Sequence, residues 1–162
     1  MIIQEVALKS KGVQKLRDSK TTFTAAEACK ALNVPRGTLN SWAFYGLFDG
    51  LSGEKTTPGK ARRFSRPDLL QLAIMRQLLA LGVAGKQAAQ WARVCVILIL
   101  EGGDCDEAHL VTTDDGELTF RIPERATDPE PEGVVARLVI YPREIELALR
   151  RRLRGDANGE RA

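Results

Sequence analysis

The alternation of apolar and polar positions becomes regular at Phe23 and from there divides the chain into short helices followed by strands. Thr24, with Glu27 three residues on, is a capping box in which hydroxyl and carboxylate each satisfy a free backbone N–H at a helix start. The helix it opens is expected from Ala25 to about Leu32, with Asn33-Val34 as a tight turn. Pro35 suits the first turn of a second helix, about Arg36 to Tyr45, because its missing N–H would be unpaired there anyway. Gly46, free to adopt positive φ, closes that helix. Leu47 to Phe64 holds glycines and a proline without helical period and reads as a loop or small hairpin, basic at its far end. Ser65-Arg-Pro-Asp68 repeats the capping pattern and starts a helix that carries Leu69, Leu72, Met75 and Leu79 to Leu81, closed by Gly82. A fourth helix starts near Val83 or Gly85 and runs through Trp91; the continuous apolar run Val94–Leu100 fits helix or strand equally.

Beyond Gly102-Gly103 the pattern turns β-like. His109 to Thr113 and Glu117 to Ile122 around Asp114-Asp-Gly116 predict a hairpin, and Val134 to Tyr141 a third strand rich in β-branched residues. Between them, Pro123 to Gly133 is a proline-containing acidic linker. Pro142 opens a last helix from Arg143 to about Leu153, with Ile145, Leu149 and Leu153 on one face. This reading divides the chain into an arm at 1–21, a helical domain at 22–101 and a small acidic module at 102–162.

Charge reinforces that division. The whole chain of 162 residues is only +3, but residues 1–100 carry 15 Lys/Arg and 6 Asp/Glu, a net of +9, whereas residues 101–162 carry 9 and 15, a net of −6. A basic half implies an anionic partner, nucleic acid or a membrane surface. The longest apolar run has seven residues against the roughly 20 that span a bilayer. Met1-Ile-Ile-Gln-Glu lacks a signal-peptide layout, so a cytoplasmic protein without membrane partner is expected. Cys29, Cys95 and Cys105 form no CxxC, which points away from a disulfide framework or a zinc module.

Two short helices joined by a tight turn in a basic region are the helix-turn-helix pattern, whose second helix fits the DNA major groove. The residues are more specific than the pattern. Phe23-Thr-Ala-Ala-Glu-Ala-Cys-Lys-Ala-Leu-Asn-Val34, Thr38-Leu39, Gly46-Leu47, Arg62-Arg-Phe-Ser-Arg-Pro-Asp-Leu-Leu70 and Leu81-Gly82-Val83 together resemble the winged-helix DNA-binding domain of the MerR family over about residues 22–93. The resemblance implies a helix-turn-helix at Thr24–Ala43 and a wing at Phe48–Phe64. It places Arg36, Thr38, Asn40, Ser41 and Trp42 on or beside the DNA-facing helix, and Lys60, Arg62 and Arg63 against the phosphates. Lys and Arg neutralise phosphate, while Asn and Ser reach base edges or phosphate oxygens. Where the family places Arg-Tyr-Tyr-Glu after Thr-Leu, this chain has Asn40-Ser41-Trp42-Ala43, with Trp42 in the place of an aromatic phosphate contact and Leu39 and Phe44 as the apolar anchors. The fold class expected is therefore α+β: a mostly α winged helix-turn-helix followed by a small module of hairpin, strand and helix.

The family's long dimerisation helix has no counterpart, since no heptad run follows Trp91. A homodimer would instead use the hairpin 109–122, the strand 134–141 or the helix 143–153, and the acidic half could also meet another protein. Trp91 is expected in the core and Cys29 as a buried thiol; Arg150, Arg151, Arg152 and Arg154 are expected at a helix C-terminus, where the macrodipole favours cations. Cys105 and His109 offer too few soft ligands for a metal, and His109 has no nucleophile motif beside it, so neither cofactor nor catalysis is expected. The function this supports is sequence-specific, double-stranded-DNA-binding regulation of transcription, of bacterial type. The alternatives are a phage-derived architectural DNA protein, excisionase-like or terminase small-subunit-like, and a winged-helix protein-interaction module.

Overall fold

A computed structural model of the chain describes residues 22–47, 61–102, 106–123 and 134–159. The expected arm at 1–21, most of the wing and most of the linker lie outside the described residues. The elements are β1 (Phe23–Thr24), α1 (Ala25–Leu32), α2 (Arg36–Phe44), β2 (Arg63–Phe64), α3 (Arg66–Ala80), α4 (Gly85–Leu100), β3 (Ala108–Thr113), β4 (Leu118–Arg121), β5 (Val134–Ile140) and α5 (Pro142–Gly159). Helix and strand are mixed as expected, with the helix-turn-helix first and the strand and helix module after it.

Both capping boxes form. The Thr24 hydroxyl accepts from the Glu27 N–H at 3.3 Å while the Glu27 carboxylate accepts from the Thr24 N–H, and Ser65 and Asp68 repeat the exchange at 3.3 and 2.7 Å. Asn33, at φ 51° and ψ 53°, takes the left-handed conformation that ends α1, and its N–H and that of Val34 donate to the last-turn carbonyls of Lys30 and Cys29. Gly46 does the same after α2 at φ 63°. The following Leu47 then lies over the start of α4, where a Cβ on Gly85 would stand 3.1 Å from its Cδ1, so only glycine fits without displacement.

α3 is the central helix: Leu69, Leu70, Leu72, Ile74, Met75 and Leu78 are all buried, and it packs against α1, α4 and α5. The apolar run Val94–Leu100 is helical. Ala88, Ala92, Cys95, Val96 and Ile99 are buried at helical spacing and form the face that α4 turns to the core. The second sheet is antiparallel in the order β4-β3-β5, with Leu110 opposite Phe120 on one side and Leu138 on the other. Ala108, Leu110 and Ile140 from this sheet and Leu149 from α5 join the same buried cluster as the helices, so the core continues past residue 101. At the hairpin turn, the Thr113 hydroxyl and the Glu117 N–H hold the exposed Asp115 carboxyl below its ordinary pKa. Whatever that contributes to stability is present above the unfolded-state pKa and disappears as pH falls through the folded one.

Several expectations are corrected here. Trp91 packs against the core as expected but is only half-buried, and its ring stacks on Phe120 with centroids 5.0 Å apart and planes at 13°. Cys29 is likewise half-buried. α5 extends to Gly159, so Arg150, Arg151 and Arg152 sit in mid-helix and their positions are not explained by its C-terminal dipole. Arg150 pairs with Glu146, while Arg152 donates to the Ala31 carbonyl at 3.1 Å and Arg76 donates to the Leu32 carbonyl at 2.7 Å. Two guanidinium groups from two helices thus occupy the negative end of α1, where backbone carbonyls lack helical partners. The last helix is thereby tied to the first.

The Trp91–Phe120 stack gives a direct measure of how firmly the sheet is attached. In a double-mutant cycle of Trp91→Ala and Phe120→Ala followed by denaturant unfolding, a coupling of about 0.5–1.5 kcal/mol is expected. Additivity would mean that the sheet does not rest on α4.

Candidate nucleic-acid interface

The helix-turn-helix presents one face of α2 to solvent. Leu39 and Trp42, three residues apart, turn inward and anchor the helix, whereas Arg36, Gly37, Asn40 and Ser41 are exposed on the opposite side and Thr38 is half-buried at its margin. Of the expected set on α2, Arg36, Asn40 and Ser41 are thus exposed and Thr38 is half-buried.

Trp42 departs from the expectation. It is 9% exposed and packed in the hydrophobic cluster, so its ring supports α2 from behind and is not available to a phosphate. Phe44 departs in the opposite sense: expected as an anchor, it is 85% exposed. Helical geometry explains both. At about 100° per residue, position 42 falls close to the face defined by Leu39, while position 44 falls with Asn40 and Ser41. Phe44 and its neighbour Tyr45, 68% exposed, touch edge to face with ring centroids 5.3 Å apart. The sequence signal for this was present in the spacing, but the apolar character of Phe44 outweighed it.

The basic end of the wing is set by a pairing between residues far apart in sequence. β1 and β2 are antiparallel, with Phe23 opposite Phe64 and Thr24 opposite Arg63. Phe64 is buried and fixes the strand to the core; alternation then turns Arg63 outward, and Arg62 is half-buried. Since Thr24 also caps α1, the strand bearing Arg63 is joined to the first turn of the helix-turn-helix. Lys60 lies outside the described residues.

The acidic module contributes little chemistry of its own. His109 Nε2 lies 3.2 Å from a Glu107 carboxylate oxygen, and Cys105 lies outside the described residues. Among the described residues, no group of three or more His, Cys, Asp and Glu could hold a metal ion, and no helix is long and apolar enough to cross a membrane.

Comparison with protein families matches residues 23–93 to the family described as MerR HTH family regulatory protein. That span begins at β1 and ends within α4, covering α1, α2, β2 and α3. Comparison with curated proteins gives no match.

Proposed function

Because residues 23–93 are a MerR-like helix-turn-helix domain, we propose that the protein is a DNA-binding regulator of transcription that reads a specific duplex sequence. α2 enters the major groove, where Asn40 and Ser41 reach base edges and Arg36 a phosphate or a guanine edge. Arg63 and Arg62, with Lys60 beside them, hold the backbone at the wing. The observation that carries this reading is the outward face of α2, in which Arg36, Asn40 and Ser41 are exposed on a helix anchored by Leu39 and Trp42. Thr38 borders that face. The chemistry is recognition and requires no cofactor.

The reading includes a homodimer in the cytoplasm of a bacterial type of cell, with two recognition helices related by a two-fold axis. Of the surfaces available for pairing, the apolar side of α5 is partly used within the chain, since Leu149 is buried and Ile145 and Leu153 pack on the core. β5 is the better supported, because it is an edge strand with Val135, Leu138 and the adjoining Tyr141 exposed. The acidic half faces its own partner or another protein, away from the phosphates.

Selection from a random pool of duplexes at low salt, followed by footprinting, tests the proposal. One enriched two-fold-symmetric site is expected. An extended array of protection would favour an architectural DNA protein, and no enrichment would contradict DNA reading altogether.

A further inference from the structure

Phe44 is the residue on the outward face of α2 that the hydrogen-bonding chemistry above leaves unused. It is 85% exposed, yet it lies on the same side of the helix as Asn40 and Ser41, one turn further on. At 1.5 Å per residue it stands about 6 Å along the axis from Asn40, inside the width of a major groove of about 12 Å. Its ring meets that of Tyr45 in a T-shaped contact at an interplanar angle of 79°. Leu39 and Trp42 supply the inward apolar contacts of α2, so the ring is not needed to hold the helix in place.

We propose that Phe44 is a specificity-determining contact that packs on the 5-methyl group of thymine in the bound site. The 5-methyl of thymine is the apolar feature that the major groove offers, and a phenyl ring is among the groups that recognise it. The polar residues Asn40 and Ser41 on the preceding turn would then read hydrogen-bonding edges while Phe44 reads the methyl, two signals from one helix face. This inference rests on the proposal that α2 enters DNA, and it adds the class of base read at its C-terminal end.

The test uses the full chain and the duplex selected from a random pool, remade with deoxyuridine in place of thymidine at one position at a time. Uracil keeps every hydrogen-bonding group and loses only the methyl. For the parent protein, affinity is expected to fall about fourfold at one or two positions, the equivalent of one methyl-sized apolar contact. Phe44→Ala is expected to bind the thymidine duplex about as weakly as the parent binds the uridine duplex, and to be indifferent to the replacement. Phe44→Leu, still apolar, is expected to retain part of the preference. Thermal unfolding of both variants should match the parent, given the exposure of the side chain. If the parent is indifferent to deoxyuridine at every position, or if Phe44→Ala responds to it as the parent does, the inference is overturned while DNA binding stands. If no duplex is selected at low salt, the DNA reading fails and this inference with it.

Discussion

Replacing Phe64 by alanine is expected to destabilise the protein by about 3–5 kcal/mol, the usual range for deleting a buried aromatic side chain. The ring is 1% exposed and belongs to the buried cluster shared by α1, α3 and α4. Its strand is only two residues long, so backbone pairing with Phe23 and Thr24 cannot hold the position once the side chain is gone. Against a total stability on the order of 5–15 kcal/mol for a domain, that loss would leave a substantial unfolded population. Urea unfolding measures it as a lowered midpoint at unchanged slope. A loss below about 1 kcal/mol would mean that β2 is not seated in the core, and the placement of Arg63 would lose its basis.

The two residues just before Phe64 are expected to behave in the opposite way. Arg62→Ala together with Arg63→Ala should cost the fold far less than the loss of the Phe64 ring, because Arg63 is exposed and Arg62 only half-buried. The same double variant should weaken DNA binding across all sequences alike, since phosphate contacts position the protein without reading bases. The salt dependence carries the quantitative signature: the slope of log K against log salt should become shallower by about 2, close to 0.9 for each phosphate contact removed. Competition binding at several salt concentrations measures both effects. An unchanged slope would show that these arginines do not meet phosphate, and a changed sequence preference would show that they do more than position the protein. The contrast between Phe64 and Arg63 arises from alternation in a two-residue strand, which sends one side chain into the core and its neighbour out to solvent.

What the sequence made legible was mostly local. The capping boxes at Thr24 and Ser65, the left-handed turn at Asn33 and the stop at Gly46 each depend on residues within a few positions, and all four are found where the spacing places them. The pairing of β1 with β2 was not legible. A strand of two residues has no periodicity, and Phe23 meets Phe64 only because the intervening helices pack. The run Val94–Leu100 was ambiguous for a related reason, since an apolar segment reads alike in both conformations until α3 and the sheet flank it. Arg152 was misplaced because its partner, the Ala31 carbonyl, lies 121 residues away in sequence and belongs to the other half of the chain. Trp42 lies in the core and Phe44 on the exposed face because helical position, not aromatic character, decides the side on which each falls. At the site, then, the polar and basic candidates were legible in the sequence as types, while their exposure required the fold.

That fold also changes the relation between the basic and acidic halves. The charge division near residue 100 suggested two modules, but Leu110, Ile140 and Leu149 share the core of the helix-turn-helix, and Arg152 reaches the end of α1. A partner bound on the acidic side would therefore act on a surface continuous with the helix-turn-helix, through packing between α5, α3 and α1.

On the proposed function, the outward face of α2 and the basic residues before Phe64 together bind duplex DNA. The most direct test is the affinity of the full chain for the selected duplex measured from about 50 to about 200 mM salt, the range over which phosphate-dependent binding changes most visibly. Log K is expected to fall linearly with log salt, steeply in the parent protein and less so in the Arg62→Ala, Arg63→Ala variant. Binding that does not change over this range, or that is equally steep in both proteins, would contradict it.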